Sequence, residues 1–143
     1  MATTSAITSV LMVDTNQHFL RIALHLFQEH YHEELTVVGI APGGKEALEQ
    51  ARKTRPHIVL LDLDQHCLEN LQLIALLRDI LPDSGIIALG SHDLRDYYRA
   101  ALAAGANVFV AKTDLNNRLL PAIRAITHPS SLQSRSIGRG QTR

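Results

Sequence analysis

The 143-residue chain is predicted to fold as a single α/β domain, with a parallel sheet covered by helices on both faces. Five short apolar segments alternate along the chain with amphipathic helical segments. This alternation favours a parallel sheet, because each right-handed crossover packs a helix back onto the same sheet. The third apolar segment is uninterrupted from Ile58 to Leu61, which is typical of a strand buried on both faces.

Each predicted strand is a short apolar segment followed by a polar residue, a glycine or a turn: SVLMVD from Ser9, LTVVGIA from Leu35, HIVLLDL from His57, GIIALG from Gly85 and NVFVAK from Asn107. The first two predicted helices are HFLRIALHLFQEHY and GKEALEQARK. Their spacing of three and four residues places one apolar face toward the sheet. The inward residues are Leu20, Leu24 and Phe27 in the first helix and Ala47, Leu48 and Ala51 in the second.

Three further helices are predicted after the third, fourth and fifth strands. LENLQLIALLRDI ends against Pro82, and DLRDYYRAALAAG begins with Asp93 as N-cap and stops at Gly105. NRLLPAIRAI is the last helix and contains Pro121. A proline inside a helix cannot donate its backbone hydrogen bond, here to Asn117, so we expect this helix to bend.

Composition and charge restrict the function classes. Fourteen basic and fourteen acidic residues balance, but residues 128–143 contain three arginines and no acid. We therefore expect one domain over residues 1–127 and a basic, disordered tail over residues 128–143. The sequence has no basic face of the kind that binds nucleic acids directly, and no apolar segment is long enough for a membrane span. The single cysteine, Cys67, agrees with a reducing compartment, so the chain is predicted to be cytoplasmic.

Polar residues follow four of the five predicted strands where those strands end. Asp14 follows the first strand, Asp62 the third, Gly90 and Ser91 the fourth, and Lys112 the fifth. The carboxyl ends of parallel strands lie at one edge of the sheet, which is where ligands bind in open α/β folds. We therefore predict that Asp14, Asp62 and Lys112 share one pocket.

From about Val10 to Ile126 the sequence resembles the receiver domains of two-component response regulators. The segments that carry the resemblance are LMVD, VLLDL, AAGANVFVAK and LLPAIRAI. The resemblance implies a flavodoxin-like, three-layer, doubly wound fold with five parallel strands in the order 2-1-3-4-5. It also implies signal transduction without enzymatic activity, through contacts with other proteins.

The resemblance assigns roles to individual residues. Asp62 would be the phosphoacceptor, and Lys112 would contact the phosphoryl group. Mg²⁺ would be held by the carboxylates of Asp14 and Asp62 and by the backbone carbonyl of Asp64. The implied partners are a sensor histidine kinase or phosphotransfer protein and a downstream protein that contacts residues 93–126, and a homodimer is left open.

The sequence departs from the receiver pattern at the metal site, the switch and the loop after Asp62. Thr15 stands where the family has a second acid, so we expect weak Mg²⁺ binding. Gly90 replaces the switch hydroxyl, although Ser91 follows it and Phe109 occupies the aromatic switch position. Asn70 stands at the position of a family glycine. These departures predict weakened coupling between phosphorylation and output.

The sequence leaves three other interpretations open. A pseudo-receiver, which binds partners without phosphorylation, is the first. The motif DLD also occurs in the nucleophile loop of haloacid-dehalogenase-type phosphatases, the second alternative. In those enzymes the loop follows an early strand, and further acids are needed after the lysine strand. Here DLD follows the third strand, and Asp114 is the only acid after Lys112. Histidine-based metal binding is the third, and neither His30 with His32 nor His66 with Cys67 has the helical spacing of i, i+4.

Overall fold

The structure is a computed structural model that describes residues 7–14, 17–30, 33–64, 66–91 and 95–128. Strands and helices alternate, as predicted. In chain order the elements are β1 (Thr8–Val13), α1 (Gln17–His30), β2 (Leu35–Ala41), α2 (Gly44–Thr54), β3 (Ile58–Asp62), α3 (Cys67–Ile80), β4 (Gly85–Gly90), α4 (Arg95–Ala104), β5 (Val108–Ala111), a 3-10 turn (Lys112–Asp114) and α5 (Leu115–Thr127).

The five strands form one parallel sheet in the order β2-β1-β3-β4-β5. This confirms the α/β class and the flavodoxin-like strand order. Every residue of β3 and β4 is buried, since these inner strands are covered on both faces. In the edge strand β2, buried residues stand only at the two ends. A register shift between Val10 and Leu11 leaves Val38 of β2 outside the pairing with β1.

Two hydrophobic clusters fill the spaces on the two faces of the sheet. One includes residues of α2, α3 and α4, and the other includes residues of α1 and α5. The predicted inward residues Ala47 and Ala51 are fully buried in the first cluster, and the partly buried Leu48 packs against that cluster. Phe27 is buried in α1, whereas the side chain of Leu20 lies outside the described part of the chain.

The helix ends agree with the predicted stop signals where the structure describes them. The helix α4 ends at Ala104, and Gly105 has a positive φ of 129° while its amide donates to the Ala101 carbonyl at 3.2 Å. The helix α3 ends at Ile80, ahead of Pro82, and Pro121 lies inside α5. Asp93 and the tail after residue 128 lie outside the described residues.

Candidate functional site

The carboxyl edge of the sheet brings four chain segments together. Asp62 is the last residue of β3, and Asp14 directly follows β1. The pairing of Val13 with Leu61 places Asp14 next to Asp62 in the register of the sheet. The pairing of Gly90 with the last residue of β5 likewise brings the residues that follow, Ser91 and Lys112, to the same edge.

Lys112 lies between two carboxylates at this edge. Its Nζ is 2.6 Å from Asp62 Oδ1 and 3.0 Å from Asp64 Oδ2. The side chain of Asp62 is 3% exposed, that of Lys112 18% and that of Asp64 27%. The ammonium therefore offsets the charge of a carboxylate that has almost no access to water, so removing Lys112 should cost more stability than removing one partner of a surface ion pair.

The side chain of Asp64 links three strands. Its Oδ1 accepts hydrogen bonds from the Ser91 amide at 2.9 Å and the Ser91 hydroxyl at 3.0 Å, while its Oδ2 faces Lys112. The Asp64 amide also donates to Asp62 Oδ1 at 3.3 Å. From the sequence, the Asp64 carbonyl was expected to bind the metal and the Asp64 side chain to add negative charge beside it, but the contacts of that side chain with Ser91 and Lys112 were not predicted.

The ionisation of the cluster follows from these contacts. Burial acts to raise the pKa of Asp64, but hydrogen bonds from Ser91 and Lys112 outweigh it and lower that pKa below its usual value. Burial acts to lower the pKa of Lys112, but its contacts with Asp62 and Asp64 outweigh burial and raise it. Lys112 is therefore cationic and Asp64 anionic at neutral pH.

Asn70 is a site residue whose role the sequence did not reveal. It lies on α3, is buried, and its side-chain amide donates to the backbone carbonyl of Asp62 at 2.7 Å. This bond connects the helix to the last residue of β3 and fixes the backbone from which the Asp62 carboxylate extends. A polar residue at an inward helical position was the only signal of this role in the sequence.

The donor set around Asp62 fits a hard divalent cation. Asp14 and Asp62 are both buried carboxylates at adjacent strand ends, and oxygen donors of this kind suit Mg²⁺, which commonly uses one or two carboxylates and keeps several waters. No group of three or more His, Cys, Asp and Glu residues that could hold a metal ion occurs within the described residues. Thr15, the predicted point of weakness, lies outside them.

The three predicted switch residues have different environments. Gly90 is the buried last residue of β4, and Ser91 is bound to Asp64. The half-buried ring of Phe109 packs against the exposed Tyr98 of α4, with ring centroids 5.5 Å apart. The switch region therefore has an aromatic contact to α4 and a serine that is already hydrogen-bonded.

The histidine-based metal interpretation gains no support from the described residues. His66 precedes α3 in a left-handed conformation, and its Nδ1 lies 3.5 Å from Glu69 Oε1. Burial, followed by the charges of Asp64 and Asp62, raises the pKa of the neighbouring Cys67 thiol. A raised pKa disfavours the thiolate that metal coordination requires. His30 lacks a described side chain, and His32 lies outside the described residues.

Comparison with known proteins identifies what the chain is similar to. The sequence pattern of the response regulator receiver domain matches residues 10–124. The chain is 27% identical over 124 residues to the response regulator protein VraR of Staphylococcus aureus, covering 86% of this chain and 58% of that protein. More broadly, the chain spans about half the length of the curated relatives it matches.

Two solved structures have similar folds. A LuxR-family two-component response regulator from Aurantimonas has a TM-score of 0.76 and 22% identity, covering 96% of this chain and 100% of that one. A response regulator protein from Burkholderia pseudomallei, with a phosphorylated aspartic acid, a calcium ion and citrate, has a TM-score of 0.67 and 25% identity, covering 90% of this chain and 72% of that one. In the described part of this chain, no helix is long and apolar enough to cross a bilayer.

Proposed function

The chain belongs to the response regulator receiver domain family, and from that premise we propose that Asp62 accepts a phosphoryl group in a two-component phosphorelay. The observation that carries the proposal is the contact of 2.6 Å between Lys112 Nζ and Asp62 Oδ1 at the edge where Asp14 also lies. A buried carboxylate beside one ammonium and two further carboxylates, those of Asp14 and Asp64, suits phosphoryl transfer with a bound cation, in which charge must be offset on the nucleophile and on the incoming group. Neither the family match nor the relatives support a phosphatase.

In the proposed reaction, an Asp62 carboxylate oxygen attacks the phosphorus of the donor. The new oxygen–phosphorus bond forms as the bond to the leaving group breaks, and the leaving group takes that electron pair. Lys112 then binds a phosphoryl oxygen in place of the Asp62 oxygen that has been esterified. Asn70 holds the Asp62 carbonyl during this change, so the reacting carboxylate keeps its position.

Receiver domains typically use Mg²⁺ for phosphorylation. In this chain, Asp14, Asp62 and the Asp64 carbonyl would hold the ion, which would supply positive charge near the phosphoryl oxygens. Because Thr15 replaces a carboxylate with a hydroxyl, we expect Thr15→Asp to tighten Mg²⁺ binding, measured by titration calorimetry. An unchanged affinity would show that residue 15 does not limit metal binding.

Receiver domains interact with histidine kinases or phosphotransfer proteins and with effector domains. For this chain we propose a sensor histidine kinase or phosphotransfer protein as phosphodonor and a protein partner at residues 93–126, with homodimerisation as one form of that contact. Residues 1–127 would form the receiver and residues 128–143 a separate basic tail. The receiver family is in general not enzymatic, and we propose no enzymatic role for this chain.

A second candidate function, a pseudo-receiver with phosphorylation-independent output, is favoured by the switch region. Gly90 has no hydroxyl to follow a phosphoryl group, and the neighbouring Ser91 is already bound to Asp64. A ligand shifts a two-state equilibrium only if it binds the two states differently, so the loss of this switch contact weakens the response.

Amide spectra with and without beryllofluoride, at saturating Mg²⁺, distinguish the candidates. Shifts confined to residues around Asp62 are expected, and they support a phosphoacceptor with weak output coupling. Large shifts across residues 93–126 would show an ordinary switch. No shifts at all would contradict phosphorylation of Asp62 and leave the pseudo-receiver.

A further inference from the structure

We infer that the Asp64 carboxylate is an internal anion that binds the donors next to Asp62 before any phosphoryl group arrives, and that phosphorylation has to displace it. This inference deepens the proposed function and rests on it. It is carried by the two oxygens of Asp64. Oδ1 accepts both Ser91 donors, at 2.9 Å and 3.0 Å, and Oδ2 lies 3.0 Å from Lys112.

These donors are the ones that a phosphoryl group on Asp62 would use. Lys112 is the cation closest to Asp62 among the described ion pairs of the site, at 2.6 Å. The Ser91 amide belongs to the first residue after β4, whose neighbour β3 ends at Asp62. Since Asp64 binds Lys112 and Ser91 together, it joins the end of β4 to the end of β5 without help from a ligand.

The negative charge of Asp64 also indicates that this residue opposes an anion at Asp62, apart from the hydrogen bonds that it makes. Asp64 and Asp62 share one ammonium, and the Asp64 amide lies 3.3 Å from Asp62 Oδ1. A dianionic phosphoryl group attached to Asp62 would be brought close to a second carboxylate, and like charges at short range repel. Asp64 therefore lowers the affinity of the site for an anion at Asp62. When that anion is absent, the Asp64 carboxylate binds the donors of Ser91 and Lys112.

The consequence for signalling is that Ser91 has an anionic partner both before and after phosphorylation: the Asp64 carboxylate in the free protein and a phosphoryl oxygen once Asp64 has been displaced. Gly90 contributes no side chain that could add a bond, so the loop after β4 exchanges one partner for another and gains no additional contact when Asp62 is modified. Removing the Asp64 carboxylate should release Ser91 in the free protein. It should also let Ser91 respond to an anion, which restores the missing difference between the two states.

The test uses amide spectra and amide exchange at Ser91 in three proteins: the wild type, Asp64→Ala and Glu69→Gln. Glu69 is a matched control because it is also an acid near the start of α3, but its side chain is 74% exposed and pairs with His66. In chelator, Asp64→Ala should shift the Ser91 amide and speed its exchange about tenfold, the effect of losing one hydrogen bond. Glu69→Gln should leave Ser91 unchanged.

Beryllofluoride is then titrated at saturating Mg²⁺. Asp64→Ala should bind it at least about fivefold more tightly than the wild type, a typical coupling between neighbouring sites, and the Ser91 amide should move on binding. Asp64→Asn, which keeps the side-chain shape and removes the charge, should also bind more tightly and replaces Asp64→Ala if that variant unfolds.

An unchanged Ser91 amide in free Asp64→Ala, or an unchanged or weaker affinity for beryllofluoride in both variants, would overturn the inference. If no protein in the series binds beryllofluoride, the proposed phosphoacceptor function fails. The Ser91 comparison in chelator still decides whether Asp64 holds the loop, so the two failures are distinguishable.

Discussion

In the described part of the chain, a half-buried cation lies at each of the two edges of the sheet, and the two cations have different partners. At the carboxyl edge, Lys112 contacts the carboxylates of Asp62 and Asp64. At the amino edge, the guanidinium of Arg78 on α3 donates to uncharged oxygens only, within the described contacts. These are the carbonyls of Leu81 at 3.1 Å, Pro82 at 3.2 Å, Ser84 at 2.6 Å and Gly105 at 2.9 Å and 3.1 Å, and Asn107 Oδ1 at 2.7 Å.

The difference separates a cation bound mainly by backbone carbonyls from a cation paired with carboxylates. Arg78 joins the ends of α3 and α4 to the start of β4, and Asn107 extends this link by accepting from the Ile86 amide at 2.8 Å. Burial lowers the pKa of Arg78, whereas the two carboxylates raise the pKa of Lys112. Backbone carbonyls cannot be exchanged for a ligand, but a carboxylate can be modified. The amino edge therefore holds the fold, whereas the carboxyl edge contains the carboxylates of the proposed phosphorylation site.

The largest predicted effect is the loss of stability in Arg78→Met. Several carbonyls would lose their donor together, and we expect a cost of about 3 kcal/mol in the free energy of unfolding, measured in urea. Arg118→Met, on an exposed position of α5, is the control and should change stability by less than about 0.5 kcal/mol. Equal losses in the free energy of unfolding for the two substitutions would contradict the structural role assigned to Arg78 at the amino edge.

Lys112→Met should cost less, about 2 kcal/mol, because Lys112 keeps some access to water and the full cost of breaking a buried pair is larger. Asp62→Asn should cost less still, since Lys112 retains Asp64 as a partner. The same urea experiment measures both. A larger loss in Asp62→Asn than in Lys112→Met would mean that Asp64 does not share the charge of Lys112.

Asn70→Ala tests the support of the phosphoacceptor backbone. The substitution removes the donor to the Asp62 carbonyl and leaves a small cavity, for which we expect about 1.5 kcal/mol of destabilisation. The rate of phosphorylation should fall as well, because the Asp62 carboxylate loses its fixed position. Asn70→Asp is the comparison variant: it keeps the size but not the donor, and full stability in this variant would contradict the assigned hydrogen bond.

The smallest predicted effect is a pH dependence confined to the carboxyl edge. The lowered pKa of Asp64 gives stability that is present above the ordinary aspartate pKa of about 3.9 and lost as pH falls through the lower folded value. The raised pKa of Lys112 gives stability that is present below about 10.4 and lost as pH rises through the higher folded value.

The difference in unfolding free energy between the wild type and Asp64→Ala, measured without metal, should therefore be constant from about pH 5 to pH 9 and shrink below about pH 4. Arg78→Met should show a weaker dependence on acid, because the described hydrogen-bond acceptors of Arg78 are uncharged and Asp83 acts on it only through its charge. A constant difference down to pH 2 would contradict the assigned pKa of Asp64.

The fold could be predicted from the sequence because β3 and β4 are continuous apolar segments and each strand is followed by a helix. The bulge at Val38 could not, since it arises from pairing with β1 and leaves no local pattern. The Lys112–Asp62 contact followed from the convergence of strand ends. The direction of the Asp64 side chain could not be predicted, because Asp64 lies past the end of β3, where side chains no longer alternate between the two faces of the sheet.

The role of Arg78 is a second feature that could not be predicted from the sequence. One arginine in an amphipathic helix has the same pattern as a solvent-exposed side chain, and its backbone acceptors are spread over residues 81–105. Only the folded arrangement brings those carbonyls together. Asn70 is similar, since its partner lies eight residues earlier, at the end of a strand.

Intact mass measurement shows whether Asp62 accepts a phosphoryl group, as proposed. The chain is incubated with Mg²⁺ and a small acyl phosphate, and the same is done for Asp62→Asn and Asp114→Asn. We expect the wild type and Asp114→Asn each to gain the mass of one phosphoryl group, which is lost slowly by hydrolysis, and Asp62→Asn to gain none. No gain in the wild type, or an undiminished gain in Asp62→Asn, would contradict the proposal.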